Sequence, residues 1–181
     1  WGVSWAAGSR RPSALRWATL VLALVTLAAW AGLSRRQTAV WHDEETFWHH
    51  TLAGGPSGLA HLDLGILLRK EGLIDAAAEQ LVDSLDVVPS YNRPWTSLET
   101  LLEKEGDQVS PETAQHLLPT LSKALAHHAD VGLTHYIVGM VLVRAGKDEL
   151  ALGAFTEALR LDPKLAPAAR EQKRLKEKLG G

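Results

Sequence analysis

Three histidines, three carboxylates and three large aromatic side chains fall within ten residues, Trp41-His42-Asp43-Glu44-Glu45-Thr46-Phe47-Trp48-His49-His50. Imidazole and carboxylate crowded together are the ligands of a divalent metal, and His42, Glu45 and His49 stand at i, i+3 and i+7 on one helical face. The spacing is nevertheless wrong for a compact site. It is not the His-Glu-x-x-His pattern, and imidazoles two turns apart are separated by about 10 Å along the axis, too far for one helix to clamp a small ion. The aromatics follow another logic: Trp41, Trp48 and Leu52 form one stripe, with Phe47 and Thr51 beside it, a face suited to packing on Leu64, Leu67 and Leu68. The stretch reads as a joint, and we assign the chain no metal ligand and no cofactor. The doublet His127-His128 reads as solvated imidazoles at the fraying end of a helix.

The elements that hold this joint begin upstream. Residues Trp17 to Ser34 (WATLVLALVTLAAWAGLS) carry no ionisable side chain and are bracketed by Arg16 and by Arg35-Arg36. Such a helix reaches about 27 Å, close to the hydrocarbon thickness, with Trp17 and Trp30 suited to the interfaces and Arg16 and Arg35 able to snorkel. It reads as a transmembrane helix, with the lipid bilayer contacted through residues 17–34. A cleavable signal, cut near Ala31-Gly32-Leu33-Ser34, and a buried soluble helix are the competing readings. Arg10, Arg11 and Arg16 outweigh Arg35 and Arg36, so the positive-inside rule puts everything after residue 36 outside the cytoplasm, in a periplasmic or lumenal space. The chain opens on Trp1 rather than Met, and Trp1 to Gly8 is apolar; we expect a fragment in which residues 1–12 end an earlier membrane segment or loop.

Composition narrows the chemistry. With 46% apolar and 22% charged residues and a net charge of -2 over 181 residues, the chain supports one or two small folded units and is not mostly disordered. It has no cysteine, which rules out disulfides, thiol catalysis and cysteine-based metal sites. Gly-rich phosphate loops and nucleophile elbows are also missing from the sequence, so a soluble enzyme is disfavoured.

Two segments align without a gap. Residues 58–91 (GLAHLDLGILLRKEGLIDAAAEQLVDSLDVVPSY) and 132–165 (GLTHYIVGMVLVRAGKDELALGAFTEALRLDPKL) are both 34 long. In one register they share Gly58/Gly132, His61/His135, Gly65/Gly139, Leu68/Leu142, Gly72/Gly146, Ala77/Ala151, Leu85/Leu159 and Pro89/Pro163, with Leu81 opposite Phe155. A small residue at the eighth position lets two helices approach, a glycine ends the first helix, and a proline stops the second. Each segment is therefore a helical hairpin. Residues 92–131 form a degenerate middle unit: Trp95, Leu98, Leu102 and Gly106 match a first helix and Leu117, Leu121 and Ala124 a second. Glu99 replaces the small residue, Ala129 replaces the proline, and about six extra residues lie near Ser110-Pro111, a capped helix start. Residues 166–181 form a terminal helix whose Arg170, Lys173, Arg174, Lys176 and Lys178 read as a solvating cap, not as a nucleic-acid site. Carried backwards, the frame makes residues 37–57 a junction helix, the second helix of a half-repeat.

This pattern resembles the tetratricopeptide repeat (TPR). The expected architecture is all-α: an N-terminal transmembrane helix over 13–36, then a short TPR α-solenoid of antiparallel helix pairs. The resemblance implies protein or peptide binding, with the second, fifth, ninth and twelfth positions of each repeat facing a concave groove. Here those are Leu59, Leu62, Ile66 and Arg69, then Arg93, Thr96, Thr100 and Glu103, then Leu133, Tyr136, Met140 and Val143. Such a groove is apolar at both ends and polar in the middle, and it lacks the run of lysines, arginines and asparagines that clamps a C-terminal carboxylate. The terminal helix could instead cover part of it.

The junction carries a second resemblance. Gln37, Trp41, Asp43, Thr46, Phe47-Trp48, Thr51-Leu52, Pro56-Ser57 and Leu64-Gly65 are similar to the junction of transmembrane-and-TPR proteins whose membrane part resembles GT-C lipid-sugar-dependent glycosyltransferases. That resemblance implies an accessory role beside a polyprenyl-phosphate-sugar-dependent transferase whose catalytic acids lie outside this chain. Whether the longer protein is an enzyme stays open at this point, and no catalytic residue is assigned.

Overall fold

The computed structural model describes residues 14–40 and 44–180, and among these residues all regular structure is helical. Two compact units are present, one ending at Asp43 and one running from Glu44.

In the first unit, α1 (Ala14–Val40) runs on to Val40, so residues 37–40 continue it instead of opening the junction helix. Its stretch Trp17–Arg35 is long and apolar enough to cross a membrane, and no side chain along it is buried.

The second unit is an array of helical pairs: α2 (Glu44–Ala53), α3 (Gly58–Lys70), α4 (Ile74–Val87), α5 (Asn92–Glu105), α6 (Pro111–Leu125), α7 (Gly132–Arg144), α8 (Asp148–Leu161) and α9 (Ala166–Gly180). A single 3₁₀ turn, Gly106–Gln108, lies between α5 and α6. Local chemistry sets the boundaries. Ser57 caps α3 by accepting the Ala60 N–H, and Ser110 caps α6 by accepting that of Thr113, with Pro111 in the first turn. At the far ends of α3 and α7, Gly72 (φ +81°) and Gly146 (φ +72°) take the left-handed conformation. The next residues, Leu73 and Lys147, then donate back to the carbonyls of Leu68 and Leu142 at 3.0 and 2.9 Å. This is the six-to-one closure that turns a helix sharply into its antiparallel partner.

Close approach does the rest. A Cβ at Gly65 would meet Leu81 Cγ at 3.0 Å and the Ala77 carbonyl oxygen at 3.1 Å; one at Gly139 would lie 2.5 Å from Phe155 Cε1. Ala77, Leu81, Ala151, Phe155 and Ala158 are accordingly fully buried between α3 and α4 or between α7 and α8. Ser84, where the other full repeat has Ala158, is buried too and donates its hydroxyl to the Gly58 carbonyl at 2.6 Å.

The middle unit is built differently. The close backbone approach that joins α3 to α4 and α7 to α8 does not occur between α5 and α6; α4 packs on both of them, and α6 packs on α7. Glu99, in the register of Gly65 and Gly139, has a bulky polar side chain where a tight hairpin needs none. Asp75 at the start of α4 accepts the Ser110 N–H at 2.8 Å, which ties the inserted loop to the first repeat. At the end of the array α9 packs on α8, burying Ala168 and Leu175 while Arg170, Lys173, Arg174, Lys176 and Lys178 stay exposed.

Candidate peptide-binding groove

The first helices of the pairs, α3, α5 and α7, lie side by side, so their ninth and twelfth positions form one strip. Ile66, Met140 and Val143 are half-buried there, resting on the core with part of each side chain open. Leu59 is 50% exposed, Leu133 is half-buried and Arg93 is exposed. Thr96 and Thr100 satisfy their hydroxyls on their own helix, donating to the carbonyls of Arg93 (3.0 Å) and Thr96 (2.8 Å).

Two of the expected groove residues lie elsewhere. Leu62 is 0% exposed and Tyr136 3%, so neither presents an open side chain to a ligand. The fifth position of α3 and α7 points into the seam between neighbouring helices: the Tyr136 ring packs on Phe155 with centroids 5.9 Å apart. The Tyr136 hydroxyl extends from this seam to α5, where it donates to Glu103 Oε1 at 3.3 Å.

Charge is unevenly arranged. Arg69 grips Glu105 through two hydrogen bonds, Nε to Oε2 at 2.9 Å and a terminal nitrogen to Oε1 at 3.0 Å, which joins α3 to the end of α5. The guanidinium holds the Glu105 carboxyl below the usual carboxylate range, and the Glu105 carboxylate raises Arg69 in return. Arg144 is paired with Asp107, and Arg174 with Glu171. In contrast, burial first and Glu103 second push the Glu99 carboxyl upward. Burial also pushes up Tyr136, helped by the negative charge of Glu103, Glu171 and Glu99. A cavity of about 240 Å³ opens along α7, lined by Asp107, Met140, Val143, Arg144, Glu171 and Arg174. The α9 residues in this wall were within reach of the sequence: the 34-residue frame carried on from Gly132 restarts at Ala166 and puts Arg174 in the ninth position. Glu99 was visible only as a break in the pattern.

At the joint, Trp48 and Leu52 pack against the core, and the Phe47 and Trp48 rings meet edge-on at 4.7 Å. His49 lies 3.6 Å from Glu45, both exposed, while Trp41, His42 and Asp43 fall outside the described residues. Among the described residues no three His, Asp or Glu side chains gather in a metal-holding cluster. The His127-His128 doublet divides. His127 is exposed, whereas His128 is half-buried, donates from Nε2 to the Pro89 carbonyl at 3.1 Å and stands edge-on to Trp95. Its ring fastens the end of α6 to the loop after α4.

No family model matches the sequence, and no curated protein matches it. Solved structures do match the fold. A crystal structure of MamA is similar over 81% of this chain and 83% of that one, with 17% identity and a TM-score of 0.53. MamA 41-end from Desulfovibrio magneticus RS-1 is similar over 84% of this chain and 85% of its own, with 16% identity and a TM-score of 0.53. The first TPR of Spaghetti (RPAP3), bound to the HSP90 peptide SRMEEVD, is similar over 68% of this chain and 94% of its own, at 17% identity and a TM-score of 0.51. At these identities the likeness concerns architecture alone, and the architecture of this chain is an all-helical, TPR-like solenoid.

Proposed function

We propose that this chain is a membrane-anchored TPR module that binds a protein or peptide segment along its first helices. Met140 and Val143, half-buried at the lining of a cavity on α7, with Ile66 half-buried at the matching ninth position of α3, are the observation that carries the reading. Apolar side chains seated on a rigid helical layer and left partly open offer contact area at small ordering cost, which is how helical grooves hold peptides. The TPR neighbour with a seven-residue HSP90 peptide supports peptide binding as a use of this architecture. Leu59, Ile66, Arg69, Arg93, Thr96, Thr100, Glu103, Leu133, Met140 and Val143 are the proposed contacts. The apolar stretch of α1 supports anchoring, and the arginine imbalance around it supports an extracytoplasmic array.

A photo-crosslinking side chain placed at position 140 tests the binding site. It should form a discrete adduct in cells, and the same group at exposed Asp83 on α4 should not. Equal labelling at both positions, or none at 140, overturns the reading. Resistance of the chain to alkaline extraction from membranes tests the anchor separately.

The junction residues Gln37, Trp41, Asp43 and Thr46, with Pro56-Ser57, favour a second reading, in which the array is the accessory region of a polyprenyl-phosphate-sugar-dependent GT-C-type glycosyltransferase. Further membrane helices and an early carboxylate-bearing loop in the upstream reading frame would support it. A start codon directly before Trp1 would sink it.

A further inference from the structure

Acidic charge on α5 is left without a cationic partner. Arg69, Arg144 and Arg174 each already hold a carboxylate. Glu99 and Glu103, one turn apart on α5, are paired with no lysine, arginine or histidine among the described residues. Like charges at i and i+4 repel, and half-buried Glu99 is also partly desolvated, so the folded array holds an unfavourable local potential that an incoming cation would relieve. From α7 the Tyr136 hydroxyl donates to Glu103 and holds that carboxylate beside α7. One turn further along α7 stands Met140, and Val143 follows, at the apolar lining of the 240 Å³ cavity.

The geometry points to a specific class of partner: an extended segment that places a lysine or arginine on Glu99 and Glu103 and, two residues away, a large apolar side chain on Met140 and Val143. This rests on the peptide-binding reading above and names the chemistry of that site. The register follows from two rises. Tyr136 and Met140 are separated by about 6 Å along the helix, and residues i and i+2 of an extended chain by nearly 7 Å, with both side chains on one face. Charge complementarity decides the sign of the partner. An acidic segment would face two carboxylates, with Arg69, Arg144 and Arg174 already engaged and the exposed Arg93 about 9 Å before Glu99 along α5.

The test uses the full chain held in phosphatidylcholine nanodiscs and a phage-displayed library of random dodecamers, with empty discs as the blank. Retained peptides should be enriched in Lys or Arg two positions from Leu, Phe or Met. The best of them should bind at least tenfold more weakly to Glu99→Gln/Glu103→Gln and more weakly as salt rises. That double variant keeps side-chain shape and removes the mutual repulsion, so unchanged ellipticity serves as its folding control. Peptides lost from Met140→Gln but without a cationic bias, or with a bias that persists in the double glutamine variant, overturn this inference and leave the peptide-binding reading standing. Retention of no peptide by the folded chain removes that reading and this inference with it.

Discussion

Gly139→Ala and Gly153→Ala are the same substitution in facing helices of one hairpin, and they should move stability in opposite directions. At Gly139 the added methyl would stand 2.5, 2.7 and 3.0 Å from Cε1, Cδ1 and Cζ of Phe155. The ring cannot swing aside, being 0% exposed and backed by Tyr136. Overpacking of this kind costs about 1–3 kcal/mol, and contact with three ring atoms at once argues for the upper half of that range. Alanine's better helix propensity returns about 1 kcal/mol, leaving a net loss of about 1–2 kcal/mol. At Gly153 in α8 a Cβ meets nothing within 4 Å, so only the propensity term acts, a gain of about 0.5–1 kcal/mol. Urea titrations followed by far-UV ellipticity should separate the two variants by about 2 kcal/mol, with hydrogen exchange confining the damage to α7 and α8. Adding Phe155→Leu to Gly139→Ala should cost less than the sum of the two single changes, because the smaller side chain makes room for the methyl. Equal midpoints for the two alanine variants, or strict additivity in the cycle, would refute the reasoning.

Trp48→Ala should loosen α2 from α3 at a cost of about 1–2 kcal/mol, less than for a fully buried tryptophan because Trp48 is half-exposed; faster exchange of the α3 amides would register it. Ser84→Ala removes the hydroxyl that donates to the Gly58 carbonyl and should cost about 1 kcal/mol, read as a lower urea midpoint; no change would mean that the carbonyl is satisfied without it. The Arg69–Glu105 pair sets a pH dependence. Because the Glu105 carboxyl is depressed in the folded chain, its stabilisation is fully present above the ordinary carboxylate range and is lost as pH falls through the folded value, so Glu105→Gln should flatten the acid limb of stability against pH.

The period of the array was legible because it rests on local rules. Gly72 and Gly146 must be left-handed, Gly65 and Gly139 must admit a neighbour, and each signal lies inside one hairpin. What stayed hidden depends on how one hairpin leans on the next. Whether a fifth-position side chain opens into the groove or enters the seam is decided by the rotation between neighbouring units, and that rotation placed Leu62 and Tyr136 inside. The Arg69–Glu105 clasp joins residues 36 apart, a separation that no helical period announces. Pro119 is a further exception: it stands exposed within α6, where the helix continues past the hydrogen bond it cannot donate.

The splayed middle pair bears on how the array folds. In a linear array each unit contributes an intrinsic free energy and a coupling to its neighbours. With α5 and α6 lacking close mutual packing, the central unit's intrinsic contribution is poor and its order is borrowed through α4 on one side and α7 on the other. A chain with a weak centre held by strong couplings melts cooperatively, in one step, and does not peel repeat by repeat from its ends. Either flanking hairpin can be viewed as a template, and a cut near residue 91 or residue 131 would take structure from the middle as well as from the piece removed.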